Sequence, residues 1–191
     1  MITLLQKFAP DKSRQTARGN GTANIMLIGN SVAQRAYPLL HDILKGRYRT
    51  FRLFARSACP ALSNWCPTFS EAMRKVVRHE NPHILLSIHH SLINHFVDPI
   101  KNLETDLVYN QYQSNVDFIS NYTKYIVIDM PYYKYRNFNT GALVRRLKLG
   151  LFLGDDLMVT WQQYMDQTQH HRKRISSIVC SKCIINDVSK L

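Results

Sequence analysis

Ser31 follows the apolar run Ala23-Asn24-Ile25-Met26-Leu27-Ile28 through a tight Gly29-Asn30 turn and opens into the helix-like stretch Val32 to Lys45. A serine placed there stands at the carboxyl end of a strand, where open α/β sheets build their sites. Its hydroxyl is a weak nucleophile until a neighbouring base accepts the proton, so covalent chemistry needs a histidine and a group that orients it. The same Gly-Asn-Ser spacing also suits an ordinary turn in which serine caps the following helix. The aspartates at 11, 42, 98, 106, 117, 129, 155, 156, 166 and 187 include none with a histidine three residues on. Asp166 and His170 come nearest, four apart on a strongly polar stretch, a spacing that reads as a solvent-facing ion pair on a helix. His89 and His90 follow a predicted strand that ends on the same side as Ser31, and His90 could serve there as base or polar liner. Adjacent strand residues face opposite ways, so at most one of the two reaches the site.

Four cysteines fall in two close pairs, Cys59 with Cys66 and Cys180 with Cys183. They suit structural disulfides in an oxidising compartment, with free thiols and a metal site as the alternatives. A zinc site would need four ligands, and a second Cys-x-x-Cys is not present, so no metal is expected. The sequons at Asn20 and Asn121 are compatible with a secretory route and carry little weight.

The formal charge of +12 invites a nucleic-acid reading. The basic residues are dispersed, however: five between Lys45 and Arg56, then Arg145, Arg146 and Lys148, then Arg172, Lys173 and Arg174. No recognition helix, zinc finger or RNA-binding aromatic signature accompanies them, so nucleic acid is not expected as a partner. Solvated faces are the plain account, and an anionic surface or substrate is the other. No apolar run approaches the roughly 20 residues that cross a bilayer, and Met1 to Lys7 is too short for the apolar core of a signal peptide. Location is therefore not fixed by the chain itself.

At 191 residues and 45% hydrophobic content the chain fits a single domain. Residues 1–22 lack apolar periodicity and read as a flexible basic lead-in, leaving 23–191 as the domain. Strands are expected near 24–28, 48–55, 83–88 and 125–130, and helices near 32–45, 69–79, 111–122, 141–149 and 160–178. Ile184-Ile185 could begin one more strand. Such alternation implies an α/β fold, a parallel sheet of four or five strands covered on both faces.

Several stretches together resemble one known family: Gly29-Asn30-Ser31, Phe51 to Pro60, Cys66-Pro67, Arg174 to Ile178 and Cys180-Ser181-Lys182-Cys183. They are similar to the SGNH (GDSL-type) hydrolase domain of the kind fused to nematode acyltransferase-3 membrane O-acyltransferases. The resemblance implies a three-layer α/β domain with Ser31 as nucleophile, and it covers Ile25 to Cys183. Asn30 stands where the family has aspartate. The resemblance also implies an oxyanion hole from the Ser31 amide, a glycine after the second strand and an asparagine after the third. Here those places hold Arg56-Ser57-Ala58 and Ser87 to Asn94, so Gly29, Asn30, Ser57, His90 and Asn94 are the pocket candidates. The family's late Asp-x-x-His lies beyond the Cys-x-x-Cys, which makes the last α/β unit look absent. No cofactor is implied. The implied partners are an acyl donor brought by a membrane acyltransferase domain and a carbohydrate or lipid acceptor, on the lumenal or extracellular side of a membrane. A catalytically inactive remnant that binds a ligand or partner, or an incomplete gene product, is the alternative expectation.

Overall fold

The computed structural model of the chain describes residues 14–88, 96–131, 140–151 and 159–187, with the side chains of 140–143 left aside. The elements run β1 (Arg14–Arg18), β2 (Ala23–Gly29), α1 (Ser31–Ile43), β3 (Tyr48–Ala55), α2 (Pro67–Glu80) and β4 (Ile84–Ile88). They continue with α3 (Leu107–Ser120), β5 (Tyr125–Asp129), α4 (Thr140–Lys148), α5 (Trp161–Ser176) and β6 (Cys183–Asn186). Six strands form one sheet in the order β1-β3-β2-β4-β5-β6. All neighbours pair parallel except β1, which lies antiparallel to β3.

Strand periodicity builds the three layers. Ile25 and Leu27 of β2 face the side covered by α1, where they pack with Tyr37, Tyr48, Phe51 and Leu53. Met26 and Ile28 face the other way, toward α2, α3 and α5, and join Met73, Val77, Leu85, Tyr112, Ile126 and Ile175. β2 is central and buried on both faces, which is why it reads as a continuous apolar run. Two readings need correction. The sheet has six strands rather than four or five. The supposed flexible lead-in over 1–22 contains β1, whose Arg14 stands opposite Phe54 and whose Arg18 stands opposite Thr50. Arg-Gln-Thr-Ala-Arg shows no apolar alternation because an edge strand has one side in water, and charged side chains there discourage pairing with other chains.

Candidate active site

β2 delivers the chain to the carboxyl edge of the sheet, and Gly29 allows the turn that follows. A Cβ at Gly29 would stand 1.8 Å from the Ile88 carbonyl oxygen and 2.7 Å from Ala33 Cβ. Only glycine lets the end of β2 come this close to the end of β4. Asn30, fully buried, then takes an extended backbone and accepts the Val32 amide on Oδ1 at 3.1 Å. The helix cap therefore belongs to Asn30, and Ser31 is the first helical residue, half-buried, its hydroxyl taking no part in the cap. The plain reading of Ser31 as capping residue is thereby corrected by one position. The first turn of α1 carries no acidic residue. The partial positive charge of the helix N-terminus thus acts undiluted at Ser31.

The connection after β3 forms the adjoining wall. The Arg56 amide donates to the Gly29 carbonyl at 3.1 Å, and the Cys59 amide closes a turn onto the Arg56 carbonyl at 3.1 Å. Ser57 is exposed in that turn, and Ala58 has φ +61°, the left-handed region that favours glycine. No glycine stands in this turn, yet its backbone takes the conformation that glycine adopts most readily. Cys59 and Cys66 are joined in a disulfide that brackets the loop, with Ala61, Leu62 and Ser63 buried between them. Asn115 on α3 holds the loop by donating Nδ2 to the Leu62 carbonyl at 2.9 Å. Cys180 and Cys183 form the second disulfide, between α5 and β6 at the opposite end of the sheet. Both pairs are structural, and neither free thiols nor metal ligation applies to them.

His89, His90 and Asn94 lie outside the described residues. Asp166 is exposed and accepts a hydrogen bond from Gln162 Nε2 at 2.6 Å, as expected of a solvent-facing helix residue. The sequence reading missed a polar group at the carboxyl ends of β5 and β6. Asn186 Nδ2 donates to Asp129 Oδ1 at 2.6 Å. Arg172 pairs with Asp187 through two hydrogen bonds, 3.0 and 2.6 Å, and its Nη1 also donates to the Tyr164 hydroxyl at 2.6 Å. That hydroxyl in turn donates to the Pro131 carbonyl at 3.1 Å. Burial raises the Asp129 pKa above its ordinary value, the Asn186 hydrogen bond opposes the rise, and the nearby Asp187 charge adds to it. The Asp187 carboxylate holds the Arg172 guanidinium above its ordinary pKa. The clue in the sequence was an aspartate at the end of each of two expected strands. The strand order β2-β4-β5-β6 separates this group from β2 by two or three strand spacings, about 10–15 Å.

A serine that opens the helix after the central strand, on a mostly parallel six-stranded sheet covered on both faces, stands in a three-layer α/β domain consistent with an SGNH-like fold. Residues 5–191 match the family described as the SGNH domain fused to AT3 domains, and the chain belongs to that family. A solved structure with a similar fold is the lipopolysaccharide acetyltransferase periplasmic domain of Salmonella ser. Paratyphi A. The match has a TM-score of 0.54 at 13% identity and covers 87% of this chain and 67% of that one. No curated protein matches the chain significantly. Among the described residues no helix is long and apolar enough to cross a membrane, and no group of three or more potential metal ligands is found.

Proposed function

We propose that the domain performs serine-dependent O-acyl transfer or ester hydrolysis with Ser31 as the nucleophile. One observation carries the proposal: Ser31 opens α1 directly beyond the central strand, while Asn30 supplies the cap. In the reaction, Ser31 Oγ bonds to the carbonyl carbon of an acyl donor as its proton passes to a base. The tetrahedral oxyanion then collapses, and the donor's leaving oxygen departs with a proton, leaving an acyl ester on Ser31. An acceptor hydroxyl, or water, attacks that ester and restores the serine. The Ser31 amide at the helix N-terminus favours the oxyanion, with the Ser57–Ala58 turn and Asn94 as the further donor candidates. His90 is the candidate base.

The donor is proposed to come from a membrane acyltransferase domain, which the family's fusion to AT3 domains supports. A carbohydrate or lipid hydroxyl is proposed as acceptor, supported by the neighbour's description as a lipopolysaccharide acetyltransferase. An extracytoplasmic location is supported by that neighbour's being a periplasmic domain and by the two disulfides.

A second reading, an inactive SGNH-like module that binds a ligand or partner, is favoured by one observation: no aspartate in the sequence has a histidine three residues on. A fluorophosphonate probe separates the two, because only an activated serine labels rapidly. Rapid labelling that disappears in Ser31→Ala is the expected result. Labelling unchanged in Ser31→Ala would overturn the assignment of Ser31, and slow labelling of the intact protein would favour the binding module.

A further inference from the structure

The chain holds two sequons for asparagine-linked sugar, Asn20-Gly21-Thr22 and Asn121-Tyr122-Thr123, neither with proline in the middle. Such tripeptides are common by chance, so their place in the fold decides what they are worth. A glycan is bulky and lies in solvent, so an asparagine carries one only where its side chain leaves the packed surface. Both asparagines meet that condition. Asn20 lies in the connection from β1 to β2. The Gly19 amide donates to the Arg49 carbonyl at 3.1 Å, and the Gly21 amide donates to the Tyr48 carbonyl at 2.9 Å. A Cβ at Gly19 would stand 2.6 Å from the Tyr48 carbonyl oxygen, and one at Gly21 would stand 2.2 Å from the Arg47 carbonyl carbon. The two glycines thus press the connection onto the start of β3, and Asn20 between them is exposed. Asn121 ends α3 and is also exposed, its Nδ2 donating to the Asp117 carbonyl at 3.2 Å. A glycan replaces one of the two Nδ2 hydrogens and leaves the other to donate.

The topology adds a second observation. Strands β2 to β6 run parallel, and antiparallel β1 ends with Arg18 opposite Thr50, near the start of β3. Asn20 follows β1 and precedes β2, and Asn121 precedes β5. Both asparagines therefore lie at the amino edge of the sheet, opposite the carboxyl edge where Ser31 opens α1. Glycans placed there leave the approach to Ser31 clear. The two sequon hydroxyls differ, however. Thr22 is exposed, whereas Thr123 is 6% exposed and its Oγ1 donates to the Ile119 carbonyl at 3.1 Å. A transferase that reads the sequon through this hydroxyl finds it free at Thr22 in the folded domain. At Thr123 it finds the hydroxyl free only before α3 and β5 have packed.

We propose that Asn20 and Asn121 carry asparagine-linked glycans, Asn121 receiving its glycan only before the domain folds and Asn20 staying open to modification afterwards. The inference rests on the extracytoplasmic location proposed above and does not depend on whether Ser31 is reactive. The donor is an oligosaccharide linked to a lipid diphosphate. The asparagine Nδ2 bonds to the anomeric carbon of the sugar as the bond from that carbon to the diphosphate oxygen breaks. The lipid diphosphate leaves with the electron pair, and the amide proton passes to a base of the transferase.

The test directs the 191-residue chain into the secretory route of animal cells behind a cleavable signal peptide, and compares its gel mobility before and after peptide N-glycosidase F. Two mobility steps that the glycosidase removes are the expected result. N20Q and N121Q should each lose one step, and N20Q/N121Q should lose both. T22A should lose the Asn20 step, and T22S should keep it. Cells are scored together with medium, so a variant that folds poorly and stays inside is still read. Absence of either step from the parent chain overturns the proposal, because the signal peptide supplies the compartment. Steps in the signal-directed chain, with none in the protein drawn from its natural source, would overturn the extracytoplasmic reading instead. The order of modification is tested with unmodified, disulfide-bonded chain, solubilised oligosaccharyltransferase and the lipid-linked oligosaccharide. Peptide mapping should find the glycan on Asn20 alone, while synthetic peptides spanning 15–25 and 116–126 should both accept it. Equal modification of Asn20 and Asn121 in the folded chain, or of neither, overturns that order.

Discussion

Arg174 and Asp106 form a two-point ion pair between α5 and the residue that caps α3. Arg174 Nε donates to Asp106 Oδ1 at 2.9 Å, and Nη2 donates to Oδ2 at 2.6 Å. The same guanidinium donates to the Phe96 carbonyl at 2.6 Å and to the Asp98 carbonyl at 3.1 Å. Asp106 Oδ1 also accepts the Tyr109 amide at 2.8 Å, which caps α3. One nearly buried cation thus ties a helix, a helix cap and the backbone of 96–98 together. Beside it, the Tyr112 hydroxyl and His171 Nε2 share a buried hydrogen bond at 3.0 Å, and burial pushes the Tyr112 pKa up.

Burial works to raise the Asp106 pKa, but the hydrogen bonds from Arg174 and the Tyr109 amide outweigh it and hold the carboxyl below its ordinary value. A group whose pKa is depressed by folding stabilises the fold above its unfolded pKa, and that contribution is lost as pH falls through the lowered value. Removing the charge leaves Arg174 without its counter-ion in a buried place. D106N should therefore cost about 3 kcal/mol at neutral pH. The cost should shrink in acid, where the parent's Asp106 also becomes protonated. Urea unfolding of both proteins across the acid range measures it, and equal midpoints at neutral pH would rule the ion pair out as a source of stability.

Asp129 predicts the opposite sign. Its pKa is raised, first by burial, so folding favours the protonated carboxyl. Ionisation then costs stability as pH rises from the ordinary aspartate value, about 4, through the raised one. D129N removes that cost and keeps an oxygen able to accept from Asn186. A higher unfolding free energy than the parent at neutral pH, converging with it below about pH 4, is the expected outcome. A destabilised D129N at neutral pH would mean that the carboxylate is needed in its charged form.

The elements legible in the sequence are those whose physics is local. β3 falls on Tyr48–Ala55 as expected, and β4 and β5 lie within one residue of expectation, because apolar and β-branched runs between turn residues leave little choice. β6 could be placed only from Ile184-Ile185. β1 was missed because an edge strand need not alternate. Within α5, Thr168, His171 and Ile175 are buried at spacings of three and four, but with Arg174 buried beside them the helix still reads as solvent-facing. Buried polar residues identify themselves only through distant partners, and no local pattern links Arg174 to Asp106 or Arg172 to Asp187. The position of Ser31 was legible. The transfer of the cap from Ser31 to Asn30 was not, since both residue types cap helices well.

The Cys59–Cys66 disulfide closes a short loop whose middle is already buried, so its reduction tests how far the cross-link or the packing holds the wall beside Ser31. With the chain-entropy relation, a loop of this length contributes about 2.5 kcal/mol. C59S/C66S should lower the unfolding free energy by about that amount at neutral pH. The Cys180–Cys183 loop is shorter, and its removal should cost closer to 2 kcal/mol. A larger loss from C180S/C183S than from C59S/C66S would show that strain or contacts, rather than loop length, set the two contributions.

Ala58 occupies a left-handed backbone position that an L-residue enters at a cost of roughly 1–2 kcal/mol. Glycine avoids the steric cost but loses more backbone freedom on folding, by about 0.5–1 kcal/mol. The difference predicts that A58G stabilises the protein by about 0.5–1 kcal/mol, an uncommon sign for an alanine-to-glycine change. A58V places a branched Cβ in the same conformation and should destabilise by about 1 kcal/mol or more. The turn leans on the end of β2 through the Arg56 amide and the Gly29 carbonyl, so a change in its backbone is transmitted to the residue before Asn30. Denaturant midpoints ordered A58G above parent above A58V would establish the positive φ in solution. Equal midpoints for A58G and A58V would show that the turn relaxes to an ordinary conformation, and the Ser57–Ala58 amides would then lose their standing as oxyanion donors.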